Sequence, residues 1–102
     1  MNGVEQILSE RQNTYGDFTD NARIMQALKG LCRDTSNYQL KLSDVQREAL
    51  DMILHKIGRI CSGDPNVKDH WDDIAGYATL VSHRIGQPAA PLMPGSIFKV
   101  QP

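Results

Sequence analysis

The stretch SDVQREALDMILHKIGRIC (residues 43–61), followed by SGDP (residues 62–65), decides the fold. Ser43 and Gln46 stand at the spacing of a capping box, in which the hydroxyl and the amide side chain satisfy each other's orphan backbone donors. Asp44 falls in the first turn, where the helix dipole favours an anion. The apolar residues Val45, Ala49, Leu50, Met52, Ile53, Leu54, Ile57, Ile60 and Cys61 then cover more than half of a helical circumference. Ser62-Gly63-Asp64-Pro65 supplies the stop, since proline cannot continue the helix. A helix that apolar needs neighbours on several sides.

The flanking sequence provides them. On the C-terminal side, Asn66 or Asp69 is placed to cap a last long helix ending at Gly86. It carries Val67, Trp71, Ile74, Ala78, Val81 and Ile85 at alternating intervals of four and three, the spacing of a bundle seam. Trp71 reads as core. On the N-terminal side a helix is predicted from about Val4 to Asn13. Thr14-Tyr15-Gly16-Asp17 then forms a turn, or a loop closing over a ligand, with Gly16 supplying positive φ. Asp17 or Thr19 caps a second helix through about Arg33, and a polar connection runs from Asp34 to Leu42. No strand pattern competes. The expectation is an all-α bundle of about four helices over residues 1–85. A Pro-rich extended tail, residues 86–102, follows. Its Leu92, Met93, Ile97, Phe98 and Val100 are too apolar for plain solvation and are expected to dock on the domain or on a neighbouring subunit.

Composition narrows the function. The 102 residues suffice for one domain with a thin core. Eleven basic against twelve acidic residues argue against a protein whose main partner is the nucleic-acid backbone. No apolar run approaches a membrane span, and the polar opening MNGVEQILSERQ does not read as a signal peptide. Cys32 and Cys61 lack metal-type spacing and read as reduced thiols. A cytoplasmic protein is expected.

The polar arc of the 43–61 helix holds Glu48, Asp51, His55 and Arg59 on one stripe. It is either a solvated face with i,i+4 pairs, such as Asp51 with His55, or part of a site. Lys56 is odd, lying among apolar neighbours on the wheel; it must snorkel or meet an anion, either Glu48 two turns earlier or an external phosphate. On the next helix Asp69 and Asp73 are one turn apart. Paired carboxylates on two helices suit a divalent cation, which can bridge phosphate oxygens and activate water. Lys56 and Arg59 would neutralise the same phosphates. Gly58 and Gly76, each inside a helix, cost about 1 kcal/mol against Ala and suggest close approach by another helix or by a ligand, or are tolerated defects.

Gln46 through Ile53, His55 through Ile60, Gly63-Asp64-Pro65 and Asp69 through Ala78, with Glu10-Arg11 and Tyr15-Gly16-Asp17-Phe18 upstream, resemble a family of small proteins of tailed phages and prophages. More distantly the helical pattern is similar to the all-α nucleoside triphosphate pyrophosphatases: MazG-like proteins, dimeric dUTPases and phage nucleotide-modification-associated domains. That resemblance implies Mg²⁺ (or Mn²⁺) bound by Glu48, Asp51, Asp69 and Asp73, with Glu48, Asp51 and Asp73 as catalytic carboxylates and Lys56 and Arg59 binding substrate. It implies a nucleotide or nucleotide-like substrate, a homo-oligomer (dimer or tetramer) and a place in the host cytoplasm. Arg47 stands beside Glu48 where those enzymes carry a glutamate pair. Two other functions remain open: a non-catalytic binder that sequesters a nucleotide or a nucleotide-derived immune signal, and a small oligomeric adaptor for a host protein.

Overall fold

A computed structural model describes residues 3–87. It contains five helices and, among the described residues, no strand: α1 (Gly3–Tyr15), α2 (Phe18–Arg33), α3 (Ser36–Leu40), α4 (Asp44–Ser62) and α5 (Lys68–Arg84). The all-α expectation holds, with one short helix added inside the 34–42 connection. Residues 88–102, most of the predicted tail, lie outside the described residues.

Helix α4 is the axis on which the others assemble; α5 and α2 pack along it, and α1 touches it more lightly. Its start follows the sequence reading. Ser43 Oγ accepts from Gln46 N (3.1 Å) and Gln46 Oε1 accepts from Ser43 N (2.9 Å), completing the capping box. Its end is capped by Gly63, whose N–H donates to the Arg59 carbonyl. Asp17 is the N-cap of α2 and accepts from Asp20 N. Thr35 caps α3 in the same way through Tyr38 N. The guanidinium of Arg47 then closes the other end of α3, donating to the carbonyls of Tyr38 and Gln39. Helix α5 departs from expectation: its N-cap is Val67, and neither Asn66 nor Asp69 caps it. Asn66 N instead donates to Asp64 Oδ1, closing a turn around Pro65.

The seam of α5 is rotated from the predicted one. His70 is 2% exposed and Trp71 is 54% exposed. The indole N–H finds the Pro65 carbonyl at 2.8 Å, so Trp71 lies over the α4–α5 turn and leaves the core. Val67, His70, Ile74, Tyr77 and Val81 form the inward row. The spacing of three and four survives; the row shifts by one residue in its middle.

The core is thin. Met25, Ala49 and Leu54 are its buried apolar members, accompanied by the polar Asn21, Lys56 and His70. Gly58 lets α2 approach, since a Cβ there would lie 2.8 Å from Met25 Cγ. Gly76 faces open space, so among the described residues no other helix approaches it. Val4, Ile7 and Leu8 of α1, with Phe18, Leu31 and Leu40, stay exposed. Among the described residues no helix is long and apolar enough to cross a membrane.

Candidate functional site

The corner where α1 meets α2 is locked against the end of α4. Gly16 has φ +90°, which L side chains rarely adopt, and a Cβ there would collide with the Ser62 carbonyl. Opposite it, a Cβ on Gly63 would collide with the backbone of Tyr15 and Gly16. Two glycines thus bring two backbones into contact, and Asp64 N–H donates to the Thr14 carbonyl across the join (3.2 Å). Asn21, 5% exposed, completes the lock. Its Nδ2 donates to the Tyr15 carbonyl (2.6 Å). Ser62 Oγ lies 2.6 Å from Asn21 Oδ1 and 2.7 Å from the Gly58 carbonyl, its one proton shared between them.

This lock fixes the Tyr15 ring. Arg59 of α4 stands 4.5 Å from its centroid and Arg11 of α1 stands 4.9 Å away. Guanidinium over an aromatic face is an electrostatic attraction, worth about 0.5–1 kcal/mol at an exposed site. His70 packs against the same ring at 5.7 Å, and its Nε2 is buried with no hydrogen-bond partner. The ion pairs seen include Arg23–Asp20, Arg33–Asp51, Lys56–Asp73 and Lys68–Asp72, and among the described residues none joins Arg11 or Arg59 to a carboxylate.

A cleft of about 460 Å³ opens here, lined among others by Arg11, Tyr15, Phe18, His55 and Arg59. Phe18 is 83% exposed. Asp17 lines the cleft too, with one carboxylate oxygen occupied as the α2 cap. Burial pushes the His55 pKa below its ordinary value, and the positive charges of Arg59, Lys29 and Lys56 push the same way. His55 is therefore a neutral imidazole at pH 7, able to accept or donate a hydrogen bond.

The sequence-predicted site residues divide. Arg59 is in the cleft. Lys56 is not: its side chain is 11% exposed and its Nζ is 2.9 Å from Asp73 Oδ2, on the facing helix, so its partner is Asp73 rather than Glu48. Asp51 accepts from Arg33 Nη2 (3.1 Å) and from the Tyr38 hydroxyl (3.2 Å); it does not pair with His55. Glu48 and Asp69 are exposed. Among the described residues no three His, Cys, Asp or Glu side chains gather as a metal site would require. The expected Mg²⁺ donors Glu48, Asp51, Asp69 and Asp73 thus do not converge within one chain, and no catalytic step through a metal follows from this arrangement. Sequence reasoning missed Arg11 and Phe18 as cleft residues. The available signal was the Tyr15-Gly16-Asp17 stretch, whose ligand-closing alternative pointed to this corner.

Fold and cleft together define a small all-α domain with a cationic, aromatic cleft at a glycine-locked corner. The chain belongs to the family described as Domain of unknown function (DUF6378), which it matches over residues 2–85. No curated protein and no solved structure matches it.

Proposed function

We propose that the cleft around Tyr15 binds a small nucleotide-like anion, and that the protein holds this ligand without turning it over. The observation that carries the reading is the pair Arg11 and Arg59, two guanidiniums on one ring, neither of them ion-paired to a carboxylate among the described residues. Guanidinium forks match phosphate oxygens, and a bound anion relieves the repulsion between the two cations. The exposed Phe18 at the mouth offers a face for a planar base. Sequestration of a nucleotide or nucleotide-derived signal, as an anti-defence phage protein would perform it, fits a cleft rich in positive groups and poor in gathered carboxylates.

The second reading is Mg²⁺-dependent nucleoside triphosphate pyrophosphohydrolysis. It rests on the similarity of the helical pattern to MazG-like enzymes. It requires a dimer or tetramer in which a second copy supplies the missing donors, and the exposed apolar residues of α1 support such an assembly.

Isothermal titration of the full chain with nucleoside mono-, di- and triphosphates and cyclic nucleotides, with Mg²⁺ and with EDTA, separates the two. Binding that survives EDTA, with no phosphate or pyrophosphate released, is the expected result. Arg59→Ala should weaken it about ten- to hundredfold, the loss of one charge-assisted contact worth about 1.5–3 kcal/mol. Metal-dependent release of pyrophosphate selects the hydrolase. No binding of any nucleotide defeats both.

A further inference from the structure

At the opposite end of α4 from the Tyr15 cleft lies a second concavity of about 520 Å³. Leu42, Ala49, Leu50 and Ile53 form one wall; Ala78, Val81 and Ile85 of α5 form the other. Among the described residues no charged side chain lines it. An open apolar groove of this kind marks a surface made to be covered. We propose that residues 88–102 of the same chain are its occupant, a binding role for the tail that is independent of the ligand reading above.

Three observations support this occupant. The chain leaves the domain beside the groove: Ile85 is both the C-cap of α5 and a lining residue, and Gly86, at φ +80°, turns the backbone immediately after it. The fifteen residues that follow carry Leu92, Met93, Ile97, Phe98 and Val100 with a single charge, Lys99. Prolines at 88, 91 and 94 repeat every three residues, the period of the polyproline helix. Proline fixes φ, so a sequence of this composition has less conformational freedom to lose on docking than an ordinary one. Reach is sufficient: five residues, the number from Pro88 to Leu92, can span about 15 Å if extended at polyproline rise. The groove from Ile85 back to Ala78 covers about 10 Å of α5. Leu92 and Met93 can therefore seat against Ala78 and Ile53, in a groove that otherwise leaves one side of α4 to water.

The test is disulfide trapping in the full chain. Cys32→Ser and Cys61→Ser provide the background. Leu92→Cys is combined with Ala78→Cys in the groove, or with Thr79→Cys on the neighbouring exposed face. Mild oxidation should close an intrachain disulfide at least tenfold faster in the Ala78 pair than in the Thr79 pair, read by intact mass and by mobility without reductant. Equal rates, or no disulfide, overturn the proposal. Cross-linking between chains also overturns it, because a second copy then fills the groove. A second measurement covers any folding defect of the cysteine variants. With both native cysteines present, Leu92→Asp combined with Met93→Asp should raise the emission of a hydrophobic-surface dye at least threefold while helicity is kept. Unchanged emission rejects the tail as occupant.

Discussion

Along the α4–α5 seam, Lys56 is almost fully withdrawn from water and its charge is answered at 2.9 Å by Asp73. At the Tyr15 corner, Arg11 and Arg59 are answered among the described residues by an aromatic ring. Both regions hold cations, Lys56 from among apolar neighbours on its helix and Arg59 from the polar arc of the same helix. The difference lies in what remains for a ligand. A lysine already paired in a confined space holds two helices together and offers little to a phosphate. A guanidinium on a π face keeps its N–H donors at the edge, free to be shared. Of the two cations that the sequence suggested for phosphate, the geometry therefore separates Arg59, available, from Lys56, committed.

The sharpest way to break the corner is Gly16→Ala. A side chain there faces positive φ and collides with the Ser62 carbonyl, which is backbone and cannot rotate away. Strain and overpacking together should cost about 3 kcal/mol or more. In a domain of this size that lowers Tm by more than about 10 °C, measurable by circular dichroism. Ligand binding should fall with it, because the same contact fixes Tyr15. A variant as stable as the native chain would show that the α1–α2 corner is not locked to α4.

These two regions were legible in the sequence to different degrees, for physical reasons. The α4 helix was readable because its signals are local: Ser43 with Gln46, Gly63 with Pro65, and apolar residues in phase. The partner of Lys56 was not, since Glu48 on the same helix and Asp73 on the next satisfy the same desolvation argument, and only packing chooses between them. The His70–Trp71 exchange has a similar cause. Size and hydrophobicity favour Trp71 for the core, yet the Pro65 carbonyl gives the indole a partner at the turn, and the smaller imidazole fits beneath Tyr15. The Tyr15 cleft joins Arg11 to Arg59 across almost half of the chain, with no periodicity to announce it. Gly16 was read correctly as a positive-φ turn, but its counterpart, Gly63, looked like a helix stop and nothing more.

A smaller effect is expected at the seam. Asp73→Ala leaves the Lys56 ammonium confined without a partner. Removing one member of a buried pair costs about 3–5 kcal/mol, and the half-exposed Asp73 side brings this nearer to about 2 kcal/mol. Adding Lys56→Met should return most of the loss, because both charges then leave together. A coupling above about 1 kcal/mol in the double-mutant cycle is the expected outcome. Additive losses would mean that the pair is not what holds Lys56, and would reopen Lys56 as a ligand for phosphate. Neither change should alter nucleotide affinity, which sharpens the contrast with Arg59→Ala.

The smallest expected effect concerns pH and brings the two regions together, since His55 lies in the cleft while feeling Lys56 as well as Arg59 and Lys29. Burial first, and those three charges after it, hold its folded pKa below the unfolded value of about 6.5. The neutral form is thus favoured by folding. Its contribution to stability is complete above about pH 6.5 and is lost as pH falls through 6.5 toward the lower folded pKa, because the unfolded chain binds the proton first. Between about pH 7.5 and 5.5 the native chain should lose a few degrees more in Tm than His55→Gln does; the carboxylates common to both cancel in the comparison. An anion seated between Arg11 and Arg59 reverses the sign of the local field, favours the imidazolium and raises the His55 pKa. With saturating ligand, the excess loss of Tm in the native chain should therefore shrink or vanish. If His55→Gln and the native chain fall in parallel with and without ligand, His55 does not sense the cleft, and the binding surface is confined to the Arg11–Tyr15–Arg59 stack.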